Sequence, residues 1–147
     1  MTVNVTAFHE SAVMEYTLHY AGNGTEGTAE VLAPESVAGL LLEIREEDGT
    51  LICGDISLET GRNGAAGITP AGICPVLWSI LTEGYAAQCR YETRDDAETL
   101  AVLLEGEEGL FLEVWFDKET LHPVYCTVME NGVQALSCTF EEVTICA

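Results

Sequence analysis

Bases are what this sequence has least of. Only Arg45, Arg62, Arg90, Arg94 and Lys118 stand against 25 acidic residues, for a formal net charge of −20 over 147 residues. Such a field repels phosphate backbones and anionic headgroups, and five scattered bases make no patch to gather them, which argues against nucleic-acid binding. Long apolar runs are missing too: no stretch is long enough to cross a bilayer as a helix. The start, "MTVNVTAFHESAVMEY", has neither a basic leader nor an apolar h-region. Histidine is limited to His9, His19 and His122, with no G-x-S-x-G or Cys-Gly motif beside them, so a nucleophile–base pair has little to be built from. The glycine-rich stretches fail as phosphate loops, because "AGNGTEG" opens no helix and "GRNGAAG" lacks the Lys-Ser/Thr ending.

Six cysteines are present, at 53, 74, 89, 126, 138 and 146, but none form a C-x-x-C pair, which removes the usual zinc-knuckle and redox spacings. An exported protein could pair all six. The length of the chain favours the other reading, small buried hydrophobes in the reduced state, because a core of this size needs no staples. Carboxylates cluster at Glu46/Glu47/Asp48, Asp95/Asp96, Glu105/Glu107/Glu108 and Glu141/Glu142. Glycosidase chemistry needs two carboxylates held in a cleft, and calcium sites need a defined ligand spacing. Clusters in the turns of so acidic a chain read instead as solvated charge. No catalytic set, metal site or cofactor is expected.

What is present is a hydrophobic content of 48%, enough for one packed domain over 1–147, with residues 1–12 expected to be frayed. Strand signals dominate. In residues 13–20, "VMEYTLHY", Met14, Tyr16, Leu18 and Tyr20 alternate with polar partners, giving one buried face and a solvent-facing His19. Three glycines break the chain, and "TAEVLAP" returns as a second strand. "APESVAGL" reads as a connection with one helical turn, "LLLEI" as a third strand, "REEDGT" as a turn with Asp-Gly at its tip, and "LICGDISLE" as a fourth strand. "TGRNGAAGITPAG" is a surface connection.

"PVLWSILTEGY" is the one good helix candidate, with Pro75 at its first position and Gly84 at its C-cap. Strands resume in "AAQCRYET", "TLAVLLEG", "LFLEVWF", "PVYCTVM", "VQALSCTF" and "VTICA". Asn131-Gly132 is a two-residue hairpin signal pairing Glu130 with Val133. An unbroken register then sets Cys126 opposite Ser137 and Tyr125 opposite Cys138, which would put the two cysteines on opposite faces. In "DKETLHP", Asp117 starts a turn through its side chain, Lys118 to Thr120 form the exposed arc, and Pro123 opens the return strand.

This order of elements resembles the LolA-like envelope lipoprotein-carrier fold, and more closely the small Gram-positive lipoproteins that share it. The resemblance runs through "YTLHYAGNGTEGTAEVLAPESVAGL", "GICPVLWSILTEGY", "EVWFDKETLHPVYCTV" and "LSCTFEEVTI". It implies a mainly β (α+β) fold: a curved antiparallel sheet, an unclosed half-barrel of about 8–10 strands, with one apolar helix on the concave face. It further implies an exported protein held at the cell envelope by a lipid anchor. No cysteine precedes Cys53, so the anchor is expected upstream of Thr2. The implied partner is a lipid or acyl chain, or an envelope protein. The candidate ligand-binding face is then Val76, Leu77, Trp78, Ile80 and Leu81 of the helix opposite Met14, Tyr16, Leu18 and Tyr20 of the sheet. In the alternative these residues only fill a core, and the protein is a structural or interaction module without a cavity.

Overall fold

The computed structural model describes residues 1–23, 26–45, 48–61 and 68–145. Period-2 patterning produces strands β1 (Thr2–His9), β2 (Ala12–Gly22), β3 (Glu26–Ala33), β4 (Leu41–Arg45), β5 (Asp48–Cys53) and β6 (Ile56–Gly61). After the helix α1 (Ile73–Glu83) come β7 (Tyr85–Arg94), β8 (Ala97–Glu105), β9 (Leu110–Asp117), β10 (Pro123–Glu130) and β11 (Val133–Glu141). All eleven lie in one antiparallel sheet, ordered β6-β5-β4-β3-β2-β1-β11-β10-β9-β8-β7. The sheet does not close, and it forms the expected curved half-barrel with one helix.

Eleven strands exceed the 8–10 expected, for two local reasons. The start is not frayed: β1 lies inside the sheet, paired with β2 on one side and β11 on the other. Val3, Val5 and Ala7 alternate inward there and are almost wholly buried. "LICGDISLE" is two strands rather than one. Gly54 has φ of +58°, Cys53 pairs with Ile56, and the chain reverses at Gly54-Asp55. In the other direction, "VTICA" adds no strand at 143–145, and its last two residues lie outside the described ones. Asp48-Gly49 is not the tip of its turn but the beginning of β5, since Arg45 pairs with Asp48; the tip lies outside the described residues.

The β10–β11 register also departs from the unbroken count. Glu130 pairs with Val133 and Met129 with Gln134, but Val128 then pairs with Leu136, so Ala135 is an extra residue on β11. Without it, Ala135, Ser137 and Thr139 would point inward. With it, Leu136, Cys138 and Phe140 do, beside Cys126 and Val128. Cys126 and Cys138 therefore stand directly opposite each other on one face.

The helix begins at Ile73, two residues before Pro75. Gly72 caps it, with its N–H donating to the backbone oxygen and hydroxyl of Thr69 at 3.0 and 3.1 Å. Pro75 is third in the helix, where a backbone N–H has no intrahelical acceptor and its absence costs nothing. Gly84 does cap the other end, donating to Ile80 O at 2.7 Å. Ile73, Cys74, Val76, Leu77 and Ile80 are buried and join Val5, Leu18, Val114 and Cys126 in one core between helix and sheet.

Candidate apolar binding site

Beside the start of α1 the core is not full. A cavity of about 270 Å³ lies between the helix-side face of β2–β5 and two connections. One is the run of turns at 34–40, where Val37 and Leu40 amides bond back to Pro34 and Val37 carbonyls at 3.1 and 3.3 Å. It is close to the single helical turn expected there. It is fastened to the sheet by Val31 N to Leu40 O at 2.8 Å and Gly39 N to Val31 O at 2.8 Å. The second is the segment just before the helix, which contributes Thr69, Pro70 and Ala71. Val31, Leu42 and Leu51 form the floor from successive strands. Alternation explains this wall: Leu42 pairs with Leu51 and with Ala29, so their side chains share a face. Among the described lining residues, apart from the Tyr16 phenol, only the hydroxyls of Thr60 and Thr69 offer side-chain polarity. Such a site can shelter apolar surface, and its described side chains carry no carboxylate, imidazole, amine or thiol.

The nine side chains expected to line a ligand face separate into three groups. Leu18, Tyr20, Val76, Leu77 and Ile80 are brought together, but inside the packed core. Leu81 packs partly buried against that core, while Trp78 and Met14 are 38% and 42% exposed. Tyr16 alone reaches the cavity wall, its hydroxyl directed to Met14 Sδ at 3.5 Å. Four of the cavity residues that sequence reasoning passed over, Val31, Val37, Leu40 and Leu42, sit in "VLAPESVAGLLL". The available signal was Val37, an apolar residue inside a turn-rich stretch that has no solvent reason to be there.

The loop "DKETLHP" is a self-contained turn. Asp117 Oδ1 accepts from Glu119 N at 3.1 Å, Thr120 N at 2.7 Å and Thr120 Oγ1 at 2.8 Å. These bonds, the Thr120 amide foremost, hold its carboxyl below the usual carboxylate range. Lys118 Nζ pairs with Glu98 Oε2 across the hairpin at 2.6 Å. His9 and His19 are exposed.

On the sheet face away from the helix, β7, β9 and β10 build a second polar cluster. Arg94 lies 3.7 Å over the Tyr125 ring and 4.9 Å over Trp115, whose indole N–H donates to Glu92. Arg90 bridges Glu92 and Glu113 at 2.9 and 2.5 Å. The indole bond, followed by the arginines, lowers the Glu92 pKa, and the two carboxylates raise that of Arg90. Each charge is matched within the cluster, which reads as a clasp between strands.

No protein-family model and no curated protein matches the chain. Solved structures do match its fold. A putative outer-membrane lipoprotein-sorting protein domain from Vibrio parahaemolyticus superposes with a TM-score of 0.54 at 12% identity, covering 96% of this chain and 68% of that one. A chain from the structure of the CwlD amidase of Clostridioides difficile in complex with the GerS lipoprotein gives 0.55 at 12% identity, over 99% and 84%. A LolA superfamily protein from Nitrosomonas europaea gives 0.48 at 12% identity; this chain, 91% covered, spans 64% of its length.

Proposed function

We propose, from the premise that this chain has the LolA-like lipoprotein-carrier fold, that it is a non-enzymatic protein of the cell envelope that binds a hydrophobic ligand in its half-barrel. The reading includes export and a lipid tether, in keeping with a fold found among lipoprotein-sorting domains. The observation that carries it is the apolar cavity beside the helix start. Its volume of about 270 Å³ falls just short of the roughly 300–1,000 Å³ of drug-sized ligand sites. The occupant is therefore an acyl-chain end or a single apolar group rather than a whole lipid. The ligand face is moved accordingly, from the helix–strand interface to the Tyr16, Val31, Val37, Leu42 and Leu51 wall.

A second reading, an interaction module without a ligand, is favoured by the burial of the middle of the half-barrel. Ile73, Val76 and Leu77 of the helix and Leu18 of the sheet are almost wholly buried and belong to one core cluster. One substitution separates the two. Ala71→Phe places a ring into the cavity. Under the binding reading the wild type takes up a fluorescent medium-chain fatty acid, and Ala71→Phe weakens that uptake about tenfold or more, roughly 1.4 kcal/mol. Native mass spectrometry also finds apolar adducts on the wild type. Absence of both uptake and adducts, with Ala71→Phe raising the melting temperature by filling a dry void, would establish the second reading instead.

A further inference from the structure

Three of the cysteines converge under the helix. Cys126 on β10 and Cys138 on β11 are direct partners in the ladder, and Cys74 of α1 joins them in the same buried cluster. Directly opposed residues of an antiparallel pair have Cα atoms about 4.5 or 5.5 Å apart, inside the roughly 4.4–6.8 Å range that a disulfide spans. The bulge at Ala135 is what gives both side chains one face. The other described cysteines have no such partner: Cys53 is on β5, near one edge of the sheet, and Cys89 is on β7, at the opposite edge.

We propose that Cys126 and Cys138 are a disulfide site, joined across the β10–β11 hairpin when the chain folds under oxidising conditions, with Cys74 left as a buried thiol beside them. Both are thiols in this structure. The bond is made early, because the folded protein disfavours the chemistry. Burial pushes the Cys138 thiol to about 12 and Cys126 well above its ordinary value, and both are almost inaccessible. The hairpin itself is local, with its reversal set by Asn131 and Gly132 at φ of +52° and +80°, so it can form before α1 covers it.

In the open hairpin the Cys126 thiolate attacks one sulfur of a low-molecular-weight disulfide such as oxidised glutathione, and one thiolate leaves. The Cys138 thiolate then attacks Cys126 Sγ, the mixed disulfide breaks, and a second thiolate leaves. The two cysteines together lose two electrons, and the external disulfide is reduced to two thiols that take up the two protons released. Once α1 docks, the new bond is out of reach of reductants until the protein unfolds.

The test uses the full chain, refolded in a glutathione redox pair and then alkylated with iodoacetamide in denaturant. We expect four adducts rather than six on the six cysteines. Cleavage after Glu130 and Glu141 places Cys126, Cys138 and Cys146 in separate fragments, which trypsin cannot do because no base follows Lys118. The Cys126 and Cys138 fragments should remain joined until reduction, in the wild type and in Cys74→Ala alike. Six adducts, a link to any other cysteine, or loss of the link in Cys74→Ala would overturn the assignment. Because the redox pair is supplied in vitro, the result does not depend on where the protein resides or what it binds.

Discussion

Asp117 shows how much of the "DKETLHP" loop follows from one carboxylate. One oxygen accepts two backbone amides and the Thr120 hydroxyl, an arrangement that its position before an exposed polar arc already suggested. The linkage sign follows from the lowered pKa. Stability contributed by Asp117 is fully present above the ordinary, unfolded-state carboxylate value and is lost as pH falls through the lower, folded-state value. Asp117→Ala is therefore expected to speed amide exchange at Glu119 and Thr120 and to lower the melting temperature at neutral pH, with the difference vanishing in acid. Exchange measured by NMR and melting at the two pH values check this. An equal deficit at both would show that the carboxylate charge is not what holds the loop. The Arg94–Trp115–Tyr125–Glu92 clasp was not legible in the same way. Its members come from three strands, and no spacing in the sequence announces which residues meet across a sheet.

At the scale of elements, alternation and turn chemistry located most strands, and their failures have specific causes. Residues 2–9 alternate as cleanly as any strand, but their position at the start suggested fraying; burial of Val3, Val5 and Ala7 between two neighbours overrode it. In "LICGDISLE" the Gly-Asp pair was itself a hairpin signal, with glycine at the first turn position where φ must be positive. The continuous apolar run around it hid that signal. The Ala135 bulge could have been inferred, because an unbroken ladder would bury Ser137 and Thr139 and expose Leu136 and Phe140. The cavity was less legible, since it depends on how far the 34–40 turns stand from the sheet, a distance no local pattern encodes. The helix end gives an element-scale prediction. A Cβ on Gly84 would collide with the Ile80 carbonyl oxygen and lie 2.7 Å from its Cγ2, both fixed by the last turn. Gly84→Ala should destabilise the protein by about 1–3 kcal/mol, as overpacking does. Denaturant melts measure it, and an unchanged midpoint would mean that the last turn yields freely.

For the molecule as a whole, charge is the dominant unbalanced quantity. The bases among the described residues are already engaged, Arg45 with Glu43, Arg90 with Glu92 and Glu113, Arg94 with Asp95 and Lys118 with Glu98. Against 25 acids, at most five can be offset by a base of their own, which leaves most carboxylates repelling one another across one wide sheet. For the ligand proposed above, that field favours an uncharged chain end over an anionic headgroup as the group that would occupy the apolar cavity. Repulsion of this kind is long-ranged and screened by salt, whereas the short ion pairs are favourable and also weakened by it. With a net charge of −20 the repulsion is the larger sum. Raising sodium chloride from about 0.01 M to about 0.15 M shortens the Debye length from about 30 Å to about 8 Å, which removes most long-range terms before salting-out effects become large. The melting temperature at neutral pH should therefore climb by several degrees over that interval. The climb should shrink at a pH where most carboxylates are protonated. A melting temperature that is flat or falls with salt at neutral pH would mean that the paired minority of charges, not the unpaired majority, governs the electrostatics of this fold.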